Sequence, residues 1–395
     1  MARRIIYWFR NDLRLFDNEA LRSAIDAGDE IIPVYVFDPR QFETTKLGFR
    51  RTGTLRTRFL MEAVEDLRRN IREKGGDLMI RVGEPEKIVS QLAEQYQASH
   101  VYASKEIAPQ ETRIESSLSK NLKVGNVDIE LYWMDTLVPA EKLPFTIARL
   151  PVCFDDFYQL SKNQVSGRKL FEEPATFNIP ADFEAGEMPS FSELGVSDAD
   201  LANAQASSRG GELTGQALLK SVREDILLGR YHHESPELLI DTHLSDWLSV
   251  GCLSAATIYD ELGTLDTSSS ATAMLIRNLL ARDYFNWILL RYGPRLFKPS
   301  GVTHTFEKQW SNDRETFEKW IQGQTPDEEI NHLVTQLNRT GHITLPEREK
   351  LAAYLADTLQ VNWTWGAMYY ESCLIDYKVA VNWGRWNNIS GVGKC

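Results

Sequence analysis

The first 135 residues alternate short apolar runs with amphipathic stretches, and this alternation limits the fold more than any other feature of the chain. The runs are 4–9 (RIIYWF), 30–37 (EIIPVYVF), 77–82 (DLMIRV), 100–103 (HVYA) and 128–133 (DIELYW). They are short, rich in β-branched and aromatic residues, and read as buried strands. Helical patterns lie between them, over 18–27, 53–74, 86–97 and 110–122. Such alternation implies a parallel sheet with helices on both faces, a fold that takes ligands beyond its strand ends.

Residues 165–212 change character, becoming rich in Pro, Gly, Ser and acids with weak periodicity, and read as a connector over the surface. From 213 the pattern is helical: 213–228, 246–262, 270–292, 313–321, 327–339, 346–357 and 364–382. The expected organisation is an α/β domain (1–135), a connector (136–212) and an all-α domain (213–395). A chain of 395 residues suits two domains.

A net charge of −12 argues against strong non-specific affinity for nucleic acid. No apolar run reaches the roughly 18 residues of a membrane span, and MARRIIYWFRND is not a signal peptide. A cytoplasmic protein without membrane contact is expected. Cys153, Cys252, Cys373 and Cys395 lack ligand spacing and read as reduced thiols. Glycine-rich phosphate loops, HExxH and a serine-hydrolase order are absent. YHHESPE (231–237) reads as a surface loop, because adjacent histidines cannot share a helix face. No metal site is expected.

The segment LIDYKVAVNWGRWNN (374–388) is apolar enough for the interior, yet it gathers Asp376, Lys378, Asn382, Trp383 and Trp386. With WFRNDLRLFDNEAL (8–21), VYVFDPRQF (34–42), LSVGCLS, RDYFNWI and FEKWIQGQT, it resembles the photolyase/cryptochrome family, and most closely the cryptochrome-DASH branch. The resemblance runs through nearly the whole chain. It implies an α/β Rossmann-like N-terminal domain followed by an all-α domain that binds FAD, absorbs blue light and transfers electrons. Carried over by motif, Asp376 pairs with Arg348 beside the flavin ring and Asn382 faces the flavin N5. Trp386, Trp363 and Trp310 form an electron relay to the surface. Asn278, Arg282, Asp283 and Lys378 belong to the flavin surroundings. DTHLS (Asp241, Thr242, His243, Leu244 and Ser245) corresponds to the loop that holds the FAD phosphates, preceded by Tyr231. Glu106, in ASKEIAPQET, corresponds to the loop that contacts a methenyltetrahydrofolate antenna. The chemistry suits these roles: a paired Asp and Arg satisfy both charges without water, and an amide can donate or accept.

Several residues depart from the family pattern. Repair photolyases flip a pyrimidine dimer into a pocket over the flavin. Where relatives carry the Glu and Trp that hold the dimer, this chain has Asn278 and Ala281. Losing a stacking indole costs about 1–3 kcal/mol of base binding. GHITLPEREK (341–350) puts His342, Leu345, Pro346 and Glu349 in place of an aromatic, an Asn, an Arg and a Met or Gln; Arg348 is kept. PDEEINHL adds acids beside a DNA-facing rim, Asp241 stands near a pyrophosphate position, and GVGKC ends the chain earlier than in relatives. A monomeric flavoprotein with an intact photoreduction relay and an eroded dimer-repair pocket is expected, with weak DNA binding and an unidentified protein partner. The alternatives are an active deoxyribodipyrimidine photolyase acting on single-stranded DNA, and a non-enzymatic member that has lost FAD. Lys378, with two candidate anions in Asp376 and a reduced flavin, is expected to raise the flavin potential.

Overall fold

A computed structural model describes residues 2–165, 169–205, 208–230, 237–263, 265 and 270–394. Five parallel strands form one sheet in the order β3-β2-β1-β4-β5: β1 (Arg4–Phe9), β2 (Glu30–Phe37), β3 (Met79–Val82), β4 (His100–Ser104) and β5 (Asp128–Tyr132). The central three are nearly continuous apolar runs because helices cover both sheet faces. β5 corrects the expectation of five buried strands: it is an edge and alternates exposed with half-buried residues. The chain reverses direction across the sheet between β1 and β4, so the crevice of a doubly wound sheet opens at their C-terminal ends, beside Arg10 and Glu106.

The helical half follows the sequence pattern, with two long segments interrupted. The 246–262 pattern breaks into Leu244–Val250 and Ala255–Gly263. Gly251 makes the break with φ +74°, and a Cβ there would lie 2.0 Å from the Asn11 carbonyl oxygen. The break therefore lets the helical half approach the turn after β1. The 364–382 pattern likewise splits into Trp363–Cys373 and Val379–Ile389. Helix Ser270–Tyr292, buried over most of its length from Asn278 to Leu289, packs against Val379–Ile389.

The connector is more than a surface strap. Val138, Leu150 and Phe157 enter the core of the helical half, and a helix, Phe154–Ser161, packs on Ser270–Tyr292. The chain then returns over the sheet, where Ile31 and Ile80 donate backbone hydrogen bonds to Asn178 and Ala185. One apolar core crosses the domain boundary, uniting Tyr35, Phe37 and Phe59 with Trp247, Leu275 and Ile375. Cys153 corrects the expectation of four reduced thiols: it is disulfide-bonded, whereas Cys252 and Cys373 are free. Disulfide pairing depends on Cβ proximity, which sequence spacing does not report.

Candidate functional site

A cleft of about 800 Å³, counted to its mouth, opens in the helical domain. Its wall takes Ser245, Asn278, Arg282, Arg348, Asp376, Lys378, Asn382, Arg385 and Trp386 from separate helices and their connections. Arg348 donates to Asp376 Oδ2 at 3.0 Å, and Ser245 Oγ donates to the same oxygen at 2.9 Å. Arg348 lies on helix Leu345–Ala353, which Thr344 and Glu347 start with a reciprocal capping box. Burial pushes the Asp376 carboxyl up, but Arg348, His342 and the hydrogen bonds outweigh it and hold the pKa below the usual range. Asn382 donates from Nδ2 to the Ala367 carbonyl at 3.0 Å, so its amide is fixed in orientation.

Of the three tryptophans of the expected relay, one lies in this wall. Trp386 lines the cleft and is buried, with an edge-on contact to Tyr370 at 5.1 Å. Its indole packs on Gly366, where a Cβ would lie 2.3 Å from the ring. Trp363, also buried, contacts Trp383 at 5.9 Å. Trp363 and the half-exposed Trp310 donate to one acceptor, the Pro299 carbonyl, at 3.0 and 3.2 Å. Tyr370 was not singled out from sequence, and Trp383 only as one of the two indoles of 374–388; their ring contacts depend on tertiary packing.

Residues 5–175 match the family model for DNA photolyase, and residues 275–395 match the FAD binding domain of DNA photolyase. The chain is 36% identical to cryptochrome DASH of Gloeobacter violaceus, covering 98% of this chain and 79% of that protein. For cryptochrome DASH of Synechocystis sp. the identity is 34%, with 98% and 81% covered. The chain belongs to the photolyase/cryptochrome family. The crystal structure of the Synechocystis sp. PCC6803 cryptochrome superposes with a TM-score of 0.90 at 33% identity, covering 98% of this chain and 82% of that one. An archaeal photolyase from Sulfolobus tokodaii, solved with two FAD molecules, gives 0.78 at 26% identity, covering 99% and 83%.

The ring end of the cleft fits a flavin of this family. Asp376 Oδ1, Trp386 Nε1 and Arg385 Nε are buried in residues of its wall without a hydrogen-bond partner, an acceptor and two donors that a heteroaromatic ring can meet. At the phosphate end, Ser245 lines the cleft, but its hydroxyl serves Asp376. Thr242 donates to the Leu238 carbonyl at 2.6 Å, Leu244 is buried in the core, and Asp241 ends a short helix, Leu238–Asp241. His243 packs against His342. Tyr231 lies outside the described residues.

Two expectations for the flavin surroundings are corrected. Asp283 turns from the cleft and accepts the backbone N–H groups of Leu137 and Val138 at 3.0 and 2.9 Å, tying the helical domain to the exit from β5. Lys378 was given two candidate anions, but its partner is a third, Asp135, at 2.9 Å. Asp135 also pairs with Arg282 and accepts from Asn286 at 3.0 Å. Burial pushes Asp135 up, and the two cations more than reverse this. Sequence could not reveal the pairing, because 135 and 378 meet only when the two domains dock. The added acids of PDEEINHL have local work as well: Asp327 caps helix Glu328–Thr340, accepting from Glu329 and Ile330 N–H at 3.0 and 3.1 Å.

A second cavity, about 1780 Å³ counted to its mouth, lies between the domains at the sheet's crevice. Trp8, Arg10, Asn11 and Glu106 come from the α/β side; Glu371, Tyr377, Lys378 and Trp383 come from the helical side. Glu106 accepts from Asn11 Nδ2 at 3.0 Å, and burial raises its pKa. Arg51 bridges to Glu371 at 2.7 Å, and Arg56 stacks over Tyr377 at 4.5 Å.

Proposed function

We propose that the protein is a blue-light-absorbing FAD flavoprotein, photoreduced through Trp386, Trp363 and Trp310, whose dimer-repair pocket has lost its binding groups. The observation that carries this reading is Trp386 in the cleft wall together with Trp363 and the half-exposed Trp310 on one carbonyl oxygen. A bound flavin supplies light absorption and an electron acceptor. The residues of the chain do the rest. Gly366 lets helix Trp363–Cys373 close on Trp386, and the Pro299 carbonyl holds the outer two rings side by side. Arg348 keeps Asp376 ionised in the wall, and Ala367 fixes the Asn382 amide. Asn278, where relatives supply a carboxyl, and Ala281, where they supply an indole, offer a dimer neither group, and Glu349 in the cleft wall adds a charge unfavourable to phosphate.

The interdomain cavity supports a methenyltetrahydrofolate antenna, with the Glu106 carboxylate accepting pterin N–H groups beside Trp8 and Trp383. Illumination of the purified protein with a thiol donor tests the relay. The wild type should bleach to reduced flavin, and Trp386→Phe should slow this by a factor of ten or more. Equal rates would remove the relay from the account, and efficient cleavage of pyrimidine dimers by the wild type would overturn the lost pocket.

A further inference from the structure

Beside the Asp376–Arg348 pair lies a cluster that the relay does not use, although one member, His243, belongs to the segment expected to hold the FAD phosphates. His243, Asp246 and His342 bring one potential ligand atom each to within 4.8 Å of one another. None of the three lines the cleft. Asp246 is 0% exposed. Its Oδ2 accepts from Ser208 Oγ at 2.7 Å, while its Oδ1 is buried with no hydrogen-bond partner. His243 Nδ1 and His342 Nδ1 are buried and equally unmatched; His243 Nδ1 stands 3.5 Å from Asp246 Oδ2 without completing a hydrogen bond. Asp246 Oδ1 and His342 Nδ1 are thus left unmet in a cluster whose ligand atoms lie close together, and unmet buried polar atoms are costly.

We propose that His243, Asp246 and His342 form a binding site for a divalent transition-metal cation of the Zn²⁺ class. Two imidazoles and one carboxylate are the donor set of such ions, and they disfavour Mg²⁺ and Ca²⁺, which take oxygen ligands. The supporting shell is present. Ser208 fixes one oxygen of Asp246 and leaves the other free, the arrangement that orients a ligating carboxylate. His243 and Asp246 are three residues apart at the start of helix Leu244–Val250, so they reach one point from one turn. The His243 backbone is held at φ +62°, an unusual conformation for a side-chain-bearing residue. Its side chain is 32% exposed and gives an ion a way in. The rings of His243 and His342 now stack at 3.8 Å between centroids and 29°. Holding one ion requires them to splay, and His342 Nδ1 has no hydrogen bond to break in doing so.

An ion there would join the 243–246 turn to the segment before helix Leu345–Ala353. Ser245 and Arg348, the two hydrogen-bond partners of Asp376, come from that turn and from the first turn of that helix. The site would thus brace the cleft wall, and its existence does not depend on the flavin reading.

The test uses the full chain with whatever cofactor it carries, stripped with a chelator, dialysed and titrated with Zn²⁺ by calorimetry. One equivalent should bind. His342→Phe, which keeps the ring stack and removes the ligand, should weaken binding more than about tenfold, the loss that even an outer-shell partner causes. Asp246→Asn should do the same, and His304→Ala, a surface control, should change nothing. Zn²⁺ should raise the melting temperature of the wild type and leave that of His342→Phe unmoved, a readout that holds even where a variant is less stable. Absence of saturable binding to the wild type, or equal binding by wild type and His342→Phe, would overturn the proposal and leave His342 a stacking residue only.

Discussion

In the helical cleft, Asp376 meets Arg348 from a neighbouring segment of the same domain; between the domains, Lys378 meets Asp135 and Arg51 meets Glu371 across the docking surface. The Asp376–Arg348 pair thus has its charge compensation within one unit, whereas Arg282 and Lys378 in the same wall, and the Arg51–Glu371 pair of the second cavity, acquire theirs only on docking. The seam has a further device that the cleft lacks. Glu212 of the helical half accepts the N–H groups of Leu15 and Phe16 at 2.7 and 2.9 Å, and Asp283 does likewise for Leu137 and Val138. The lesson is that a pre-paired wall can be rigid whatever the domains do, while the seam responds to anything that changes a buried carboxylate.

The largest expected effect comes from breaking the pair inside the cleft. Arg348→Met leaves Asp376 buried without its cation and should cost about 3–5 kcal/mol in urea unfolding. Loss of less than about 1 kcal/mol would mean that the cleft is no more self-contained than the seam.

A smaller effect should separate the seam by pH. Burial pushes Glu212 up to about 7 from an ordinary value of 4.5, despite its two backbone hydrogen bonds. The folded chain then keeps a proton that the unfolded chain has released, so stability is fullest below pH 4.5 as far as this group is concerned and falls as pH rises to about 7. The ceiling is about 3 kcal/mol. Asp283, also pushed to about 7 by burial, gives the same sign. Glu212→Gln should therefore remove roughly half of the combined slope in unfolding free energy between these pH values. An unchanged slope would place the pH sensitivity elsewhere.

The smallest effect concerns Lys378, which touches both cavities. With Asp135 2.9 Å away its charge is already answered, so Lys378→Gln should move a flavin midpoint potential by less than about 1 kcal/mol, roughly 20 mV for two electrons. A shift several times larger would show the ammonium acting on the cleft and would erase the contrast drawn above.

Legibility from sequence followed the range of the interactions. The strand set and most helices were readable because each signal is local: buried apolar runs for β1, β2 and β4, and helical periodicity for Ser270–Tyr292. The break at Gly251 was not, because it answers the Asn11 carbonyl of another domain. Helix Phe154–Ser161 was hidden inside a stretch taken for connector, since its eight residues carry too few turns to show a period. At the site, motif resemblance brought Asp376 together with Arg348, and the structure has them bonded. It did not foresee the backbone partners of Asp283, which lie in the connector, or the counter-ion of Lys378, which lies across the docking surface. His342 stood out only as a substitution; its ring contact with His243, about a hundred residues earlier, has no local signal.

The apolar core that unites Tyr35 and Phe59 with Trp247 and Leu275 makes the boundary between the halves a topological line without being a thermodynamic one. Neither half can shed the other without wetting its own interior. A cut in the connector would accordingly leave two fragments that remain mates, and melting would spread through both as one cooperative event. In evolutionary terms the halves are bound to drift together: a change in volume on one side of that core selects its compensation on the other, however separate the two lengths of chain look when written out as text.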